Sequence, residues 1–443
     1  MEKDRRLILR SKIMHFPVLS KQYSTIKKYA VNTGLYLTAS VVSSLVGIVV
    51  NPLLAMNLSP TDYAITSYYT SLATFVTPII SFFLIDYYLR EYYKVDKQDR
   101  EQIKGVIFKL LIIIQLISTA ICLLGVSIYV KASHSSFELF PYALFSVGSL
   151  YFQLPYQLKI AEYRIAGNGR GFAIYSIVWS IVNTVLQLLF VVILHFGAAG
   201  KLGGTFLYSI LAFCWCVYPN RQYLTTKIEL VRLKEIGLYC YPLVLAATLS
   251  FFTNGYDKIL LERQGEVELL GIYAVGCQIA GYISVFSSSI KSTFQPDMFK
   301  AIANKSIKKV IVTVLVVVLG VSFFVLLFYL FCPFIIRILT AGRYMESTAF
   351  ARIVCLSAVT STIYYQISQF TYGIGLSKIV LYNKVVCTIV NIALMYFLVS
   401  KYSAIGAAWG LVIGWLVFAG GNIVFLWIYR KKIFNENESS KNT

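Results

Sequence analysis

The chain has 443 residues, of which 58% are hydrophobic and 14% are charged, and it carries a formal net charge of +20 at pH 7. Soluble globular domains carry roughly 25% charged residues, so this composition excludes an ordinary soluble protein. Apolar runs of about 20 residues, each long enough to cross a bilayer core of about 30 Å, recur along nearly the whole sequence. We therefore predict an all-α polytopic membrane protein.

The apolar runs predict twelve membrane spans with short connections. Their predicted bounds are 29–50, 63–89, 106–130, 139–158, 172–194, 202–219, 237–257, 269–296, 310–331, 348–371, 379–399 and 405–429. The basic tail at 1–28 precedes a full-length span, unlike the short apolar region of a cleavable signal peptide. We predict an N-lobe at 29–219, a cytoplasmic linker at 220–236, a C-lobe at 237–429 and a second cytoplasmic tail at 430–443.

Lys and Arg residues are distributed unevenly between the two faces of the membrane. With the amino terminus inside, the cytoplasmic segments hold 31 of the 40, the opposite face holds 8, and Lys291 lies within a span. Because basic residues concentrate on the cytoplasmic side, both termini are predicted to be cytoplasmic. This asymmetry explains most of the net charge without nucleic-acid binding, and the basic tail can also contact anionic lipids.

Short motifs recur at a separation of roughly 205 residues, in the same order. Tyr63–Ala64 opens span 2 and Tyr273–Ala274 opens span 8, while Gly203–Gly204 opens span 6 and Gly406–Ala407 opens span 12. Six spans separate the copies, so the two halves have the same orientation and are related by an axis along the membrane normal. The repeat predicts two six-helix lobes related by a pseudo-twofold axis, with a central cavity between them.

The sequence contains little material for catalysis. The three histidines (His15, His134 and His195) have no partnering cysteine or carboxylate cluster, and no nucleophile, nucleotide-binding or zinc motif occurs. The eight cysteines lie in or beside apolar stretches, where cysteine usually serves as a small apolar side chain. We predict a protein that is not an enzyme and binds no metal.

Charged side chains inside or beside spans are costly in lipid and tend to face a bundle interior or an aqueous cavity. Lys291, near the cytoplasmic end of span 8, can contact an entering diphosphate or extend to the inner headgroups. Arg90, Lys159 and Arg164 can line the inner mouth of a cavity or anchor their helices, and the same alternatives hold for Arg352 at the outer end of span 10.

Acidic and amide side chains form a second set of candidates. Span 7 ends at Asp257 and Lys258, which can form either a gate pair between the lobes or an ordinary helix-end ion pair. Asp86, another candidate for gating or coupling, lies near the end of span 2. The amide candidates for a polar cavity are Gln153, Gln157, Asn183, Gln187, Gln278 and Asn391. Two pairs among them are four residues apart and share a helix face. Such amides can bind sugar hydroxyls, or they can hold helices together at about 0.6 kcal/mol each.

Several motifs along the chain match a known family in order and position. They are Leu58–Ser59–Pro60–Thr61–Asp62–Tyr63, Gly203–Gly204, Asp257–Lys258, Gly271–Ile272–Tyr273–Ala274 and Ile405–Gly406–Ala407–Ala408. Over its whole length the chain resembles the Wzx-type oligosaccharide flippases, which move O-antigen or capsule repeat units. These belong to the polysaccharide transporter family of the multidrug/oligosaccharidyl-lipid/polysaccharide superfamily.

The resemblance implies a flippase that moves an undecaprenyl-diphosphate oligosaccharide from the inner to the outer leaflet of a bacterial plasma membrane by alternating access. A cavity between the lobes would solvate the head group, with Lys291, Arg90 and Arg352 offsetting the diphosphate charge. The implied partners are membrane lipids, a polysaccharide polymerase and chain-length proteins. No cofactor is expected; the energy source is left open, with H+ and Na+ as the candidate coupling ions.

Three alternatives remain open. A cation-coupled multidrug exporter of the same fold usually places a carboxylate in an early span; here span 1 has no charge, and Asp86 lies near the end of span 2. A membrane-bound sugar polymerase or transferase usually has a large external loop, whereas the external loops here are short. A lipid II flippase usually has two more helices, for which this chain has no room.

Overall fold

The structure, a computed structural model, describes residues 35, 38–39, 41–92, 94–304, 306–374 and 376–439, without the side chains of residues 97, 377 and 430–439. The predicted tail at 1–28 lies outside these residues. Every regular element within the described ranges is helical. This confirms the prediction of an all-α chain.

Seven helices form the first part of the chain, which we call the N-half. They are α1 Val41–Asn57, α2 Pro60–Ser81, α3 Leu84–Glu91, α4 Lys97–Ala132, α5 Tyr142–Ile165, α6 Gly169–Leu188 and α7 Gly197–Asn220. A π-helical turn, Leu189–Ile193, extends α6, and a 3-10 turn, Arg221–Thr225, ends the N-half.

The second part, which we call the C-half, begins with α8. Its helices are α8 Leu230–Thr248, α9 Phe251–Asn254, α10 Tyr256–Arg263, α11 Val267–Gly281, α12 Ile283–Ala303, α13 Ile307–Leu339, α14 Ser347–Val354, α15 Ser357–Gly373 and α16 Ser377–Ser439. Ser403 has non-helical backbone angles (φ 49°, ψ −132°), so α16 is two helices that meet at this residue.

The described helices correspond to the twelve predicted spans. Eight described segments are long and apolar enough to cross a membrane, and the pair α2 and α3, bent by 44°, makes a ninth. One of the eight, Lys378–Tyr429, breaks at Ser403 and covers two predicted spans. The shorter apolar helix α1 and the 24-residue helix α5 cover the other two. The exact bounds of the two predicted lobes and the linker remain a prediction.

The start of α2 explains the motif at residues 58–63. Ser59 caps the helix: its Oγ accepts a hydrogen bond from the Asp62 backbone N–H at 3.1 Å, and the Ser59 N–H donates to Asp62 Oδ2 at 2.8 Å. Pro60 occupies the first helical position, where its missing N–H costs no helical hydrogen bond. Asp62 Oδ1 also accepts from the Ala198 N–H at 2.7 Å, which ties the start of α2 to the start of α7.

Helix α2 belongs to the N-half but contacts helices of both halves. It packs against α4, α5 and α7 in the N-half and against α8, α10 and α11 in the C-half. Near its other end Pro78 removes one helical N–H, and Phe82 and Phe83 have positive φ (46° and 51°). The break at these two phenylalanines produces the bend between α2 and α3. Beyond the bend, α3 packs against α8.

The tightest approach between the halves lies where α2 and α11 begin. A Cβ atom placed on Gly271 would overlap the backbone of Pro60, including its carbonyl oxygen. A glycine at 271 therefore allows the two helix starts to touch. The resulting contact joins the first turn of α2 to the first turns of α11, the two helices that the internal repeat places in equivalent positions.

We predict that Gly271→Ala destabilises the protein by about 1–3 kcal/mol, since the added methyl group forces two packed backbones apart. The measurement is the thermal unfolding midpoint in detergent. Gly281→Ala on the same helix is the matched control, because a Cβ at Gly281 meets no atom within 4 Å. Equal midpoints for the two variants would contradict the close contact.

Candidate functional site

A line of hydroxyl side chains runs along one face of α2. Thr66, Thr70, Thr74, Thr77 and Ser81 follow one another at intervals of three or four residues, which places them on one side of the helix. Four of these hydroxyls also donate to carbonyls of their own helix, at 2.7–3.5 Å, and keep acceptor capacity. We call these five residues the hydroxyl stripe.

Thr66, Thr70 and Thr74 of the hydroxyl stripe border a cavity of about 580 Å³, which we call the outer cavity after the predicted orientation. It lies between α2, α5, α6 and α7 of the N-half and α9, α10 and α11 of the C-half. The charged side chains that line it are Lys201 and Lys258, and no Asp or Glu is among its described lining residues. Its other polar lining residues include Gln187, Thr205, Asn254 and Gln278. The outer cavity is thus a polar site with positive charge between the two halves.

Lys201 is the lysine that the N-half contributes to the outer cavity. It lies in the first turns of α7, and its Nζ is 4.6 Å from the centroid of the Tyr63 ring. It forms no ion pair with any described residue. The predicted span 6 begins at residue 202, so the sequence places Lys201 among the basic residues of the outer face. Its position one residue before an apolar run is the only signal in the sequence.

Lys258 belongs to a buried network in the C-half. Asp257 is fully buried, and its Oδ2 lies 2.9 Å from Lys258 Nζ and accepts a hydrogen bond from Tyr273 Oη at 2.6 Å. All three residues lie on α10 and α11, so the ion pair does not bridge the two halves. Lys258 nevertheless lines the outer cavity. Asp257 holds this lysine in place at the cavity wall.

Hydrogen bonds also join the two halves beside the α1–α2 connection, which the predicted orientation places at the outer end. Tyr344 Oη donates to the Leu58 carbonyl at 2.6 Å, and Arg343 donates to the carbonyls of Ala55 and Met56. Burial raises the pKa of the Tyr344 phenol to about 12, so this group stays protonated and donates. Loss of these bonds would leave carbonyls of the N-half without donors.

The loop between α4 and α5 is joined to the C-half in the same way. Glu262 Oε1 accepts from Ser135 Oγ at 2.7 Å and from the Ser136 N–H at 2.8 Å. Arg263 donates to Tyr129 Oη at 3.0 Å. Glu262 is 3% exposed, so its carboxylate depends on these donors for solvation. We call the contacts of Glu262, Arg343 and Tyr344 with the N-half the outer seal.

One amide chain connects the outer cavity with α1. Gln278 Nε2 donates to Asn51 Oδ1 at 2.8 Å, and Asn51 Nδ2 donates to the Leu339 carbonyl at 2.8 Å. Asn51 is buried, and its side chain thus joins α1 of the N-half to α11 and α13 of the C-half. Gln278, a predicted cavity residue, both lines the outer cavity and takes part in this connection.

A second cavity of about 760 Å³, which we call the inner cavity, lies within the N-half between α1, α2, α3, α5, α6 and α7. Thr77 and Ser81 of the hydroxyl stripe line it, as do the predicted candidates Asp86, Gln157, Arg164 and Asn183. Gln187 Nε2, at the outer cavity, donates to Asn183 Oδ1 at 3.2 Å and to Thr205 Oγ1 at 3.1 Å. These amides and the hydroxyl stripe connect the two cavities.

Two predicted cations lie away from both cavity walls. Lys291 is half-buried on α12, with its Nζ 5.1 Å from the centroid of the Tyr365 ring. Arg352 Nε donates to the Tyr329 carbonyl at 3.3 Å, and its guanidinium lies 5.2 Å from that ring. Neither residue lines the outer or the inner cavity in this structure.

Two further predicted cations form surface or interfacial ion pairs. Arg90 Nε is 3.5 Å from Glu91 Oε1, and its guanidinium lies 4.6 Å from the ring centroid of Tyr239 on α8. Lys159 Nζ is 3.2 Å from Glu162 Oε2. Exposed pairs of this kind contribute little to stability, with a median of about 0–1 kcal/mol.

The remaining two amide candidates join helices. Gln153 Nε2 donates to Ser209 Oγ at 3.0 Å, between α5 and α7. Asn391 is fully buried, and its Nδ2 donates to the Phe252 carbonyl at 2.8 Å, between α16 and α9. Among the described residues, no three His, Cys, Asp or Glu side chains converge as metal ligands would.

The architecture of this chain is similar to that of several solved membrane proteins. No protein-family model and no curated protein matches the chain. Among solved structures, the lipid II flippase MurJ in an inward closed conformation matches with a TM-score of 0.64 and 14% identity, over 89% of this chain and 87% of that chain. A variant of the Vibrio cholerae MATE transporter VcmN matches with a TM-score of 0.57 and 16% identity, over 93% and 98%.

A third match is an inward-facing multidrug resistance MATE family transporter of the MOP superfamily, with a TM-score of 0.56 and 17% identity, over 93% of this chain and 99% of that chain. At these identities the likeness concerns the fold. The chain is a multi-pass, all-helical membrane protein with the fold that MATE transporters and MurJ share. The predicted fold class is thereby confirmed.

We predict that Lys258→Met destabilises the protein by about 3–5 kcal/mol, because it leaves the buried Asp257 carboxylate without its cation. The double variant Asp257→Asn with Lys258→Met should recover most of this loss, since both charges are then absent. The measurement is chemical unfolding of the purified variants in detergent. A double variant as unstable as Lys258→Met alone would show that the ion pair is not the cause.

We predict that Glu262→Ala weakens the outer seal, because Ser135 and the Ser136 N–H lose their shared acceptor. The readout is the reaction of Cys277, which lines the outer cavity, with a membrane-impermeant maleimide added from the outer side. We expect labelling to rise at least threefold. Cys277→Ser in the same background identifies the signal, and unchanged labelling would show that Glu262 does not hold the seal closed.

Proposed function

We propose that this chain is a flippase that moves an undecaprenyl-diphosphate-linked oligosaccharide from the inner to the outer leaflet of a bacterial plasma membrane by alternating access. The product would serve surface polysaccharide synthesis, as O-antigen or capsule repeat units. The sequence motifs and the shared fold support this proposal, and one of the compared proteins is itself named a lipid II flippase. The cytoplasmic position of both termini, and a polymerase and chain-length proteins as partners, belong to the same proposal.

The observation that carries the proposal is the charge of the outer cavity. A diphosphate cannot enter hydrocarbon unless cations and hydrogen-bond donors replace its water. Lys201 supplies a cation from the N-half that has no ion-pair partner among the described residues, and no described carboxylate lines the same cavity to repel the phosphates. Lys258 lines the cavity from the C-half, where Asp257 already pairs with it and its N–H groups can serve as further donors. A site lined by two lysines and no described carboxylate therefore suits an anionic head group better than a cationic drug.

The position of the outer cavity also suits transport. It is enclosed by elements of both halves, so a rearrangement of one half against the other changes its exposure. The outer seal closes its outer end in this structure through Glu262, Arg343 and Tyr344. A substrate whose diphosphate touches both lysines would be sensitive to the relative position of the halves.

A cation-coupled multidrug exporter is the second candidate, and one observation favours it. Asp86 is a carboxylate at the inner cavity, where a proton or Na+ could bind, and the fold is that of MATE transporters. Asp86 shares that cavity with Arg164, however, so the site lacks the net negative charge that a cationic drug prefers. A sugar polymerase or transferase has no supporting constellation among the described residues. We therefore favour the flippase.

We predict that Lys201→Gln lowers flipping about tenfold to a hundredfold, because a hydrogen bond to a charged group contributes about 1.5–3 kcal/mol. Lys201→Arg, which keeps the charge, should retain more than a third of wild-type flipping. The assay uses protein reconstituted in liposomes with a labelled undecaprenyl-diphosphate oligosaccharide. It follows access of the sugar to an impermeant modifying reagent.

Lys131→Gln is the matched control, since Lys131 is an exposed lysine at the end of α4 that lines neither cavity. Wild-type flipping in Lys201→Gln would remove the outer cavity from the mechanism. Absence of flipping by the wild-type protein, together with proton-coupled efflux of a cationic dye, would favour the exporter.

A further inference from the structure

We propose that the inner cavity is a glycan subsite, which binds the uncharged sugar rings of the head group while the diphosphate contacts the lysines of the outer cavity. This inference rests on the proposed function and adds to it a location and a chemistry for sugar recognition. The residues that carry it are Tyr156, Gln157, Asn183 and Tyr208, together with the lower end of the hydroxyl stripe.

The inner cavity has aromatic walls that are held from behind. The Tyr156 ring stacks on Tyr175 with a centroid distance of 5.3 Å and an interplanar angle of 18°. Trp179 meets Tyr156 and Tyr208 edge-on, at 6.4 Å and 5.9 Å. Tyr156 and Tyr208 line the cavity, whereas Tyr175 and Trp179 support them and do not line it. The negative face of such a ring attracts the C–H groups of a pyranose.

The second requirement for sugar binding is a set of groups that both donate and accept hydrogen bonds. An amide offers a carbonyl oxygen and two N–H donors in one plane, which matches two neighbouring hydroxyls of a sugar. Gln157 is exposed to the cavity and makes no hydrogen bond with a described side chain. Asn183 lines the same cavity, and its Oδ1 accepts from Gln187 while its Nδ2 keeps two N–H donors. Ser176, Ser180 and Ser81 add hydroxyls.

The size and charge of the inner cavity agree with an uncharged ligand. Its volume of about 760 Å³ falls in the range of pockets that enclose small molecules, roughly 300–1,000 Å³. The described charged residues that line it are one of each sign, Asp86 and Arg164. An organic cation would meet Arg164 as well as Asp86, whereas sugar hydroxyls can accept from the guanidinium and donate to the carboxylate.

The inner cavity is connected to the outer cavity, so a single head group can bind in both. Asn183 and Gln187 are hydrogen-bonded to each other, and each lines a different cavity. The hydroxyl stripe continues from one cavity to the other along α2. Thr70 and Ser81 are about 16 Å apart along the helix axis, at 1.5 Å per residue. An elongated ligand with an anionic end and a hydroxylated end fits this order.

The test compares the affinities of purified full-length protein, in nanodiscs, for two lipids: undecaprenyl diphosphate and the same lipid carrying an oligosaccharide. The quenching of tryptophan fluorescence, to which Trp179 contributes from behind Tyr156, reports binding. We expect wild-type protein to bind the glycosylated lipid at least tenfold more tightly. Tyr156→Ala and Gln157→Ala should remove this difference and leave the affinity for undecaprenyl diphosphate within twofold of wild type.

Three further variants make the result specific. Tyr156→Phe keeps the ring and should keep most of the tenfold preference, and Tyr402→Ala is the matched control because Tyr402 is an exposed tyrosine away from both cavities. Lys201→Gln should weaken binding of both lipids equally. Equal wild-type affinity for the two lipids, or equal weakening of both by Tyr156→Ala, would overturn the glycan subsite while leaving the flippase proposal intact.

Three other outcomes separate the proposals. If the wild-type protein binds neither lipid, both the flippase and the glycan subsite are wrong. If it binds both lipids equally and also binds tetraphenylphosphonium, with the latter affinity lost in Tyr156→Ala, the inner cavity is a site for organic cations. Retention of the tenfold preference in both Tyr156→Ala and Gln157→Ala would place sugar recognition elsewhere.

Discussion

The contact between Pro60 and Gly271 is the constraint on which the arrangement of the two halves depends. Two helix starts can meet at backbone distance only because residue 271 has no side chain. This contact fixes α2 against α11, and α2 in turn packs on both halves along its length. Since one face of α2 is occupied by packing, the opposite hydroxylated face is left to border the cavities. A single helix therefore both joins the halves and supplies the polar track between them.

Two charged side chains of this site, Asp257 and Lys201, have different surroundings. Asp257 is completely enclosed and has two partners, Lys258 and Tyr273, as a buried carboxylate requires. Lys201 lies beside the Tyr63 ring and lines the cavity, and the Asp62 carboxylate acts on it electrostatically without forming an ion pair. Water can solvate this lysine when the cavity is empty, and an anion can replace that water. The protein thus keeps its fixed ion pair in the wall and its unpaired cation in the cavity.

The sequence predicted the twelve spans well, because hydrophobicity and length decide which segments enter a membrane. The cavity residues depend on which face of a helix each residue occupies, and hydrophobicity does not reveal that. Lys291 is a candidate because it lies within a span, and in the structure its Nζ lies beside the Tyr365 ring. Lys201 lies just outside the predicted span 6, and only the structure places it at a cavity. Thr and Ser are tolerated on any helix face, so only the packing of α2 shows that the hydroxyl stripe borders the cavities.

In the proposed flippase, the two cavities would divide the physical problem of moving a lipid-linked sugar. A diphosphate is small and strongly charged, so its binding depends on a few cations. A glycan is large and uncharged, and its binding depends on many weak contacts with rings, amides and hydroxyls. Placing cations between the halves makes charge binding sensitive to their relative movement, whereas an amide and aromatic site within the N-half moves as one body with its ligand. In this arrangement the diphosphate would couple to the conformational change, and the glycan would determine which lipid is carried.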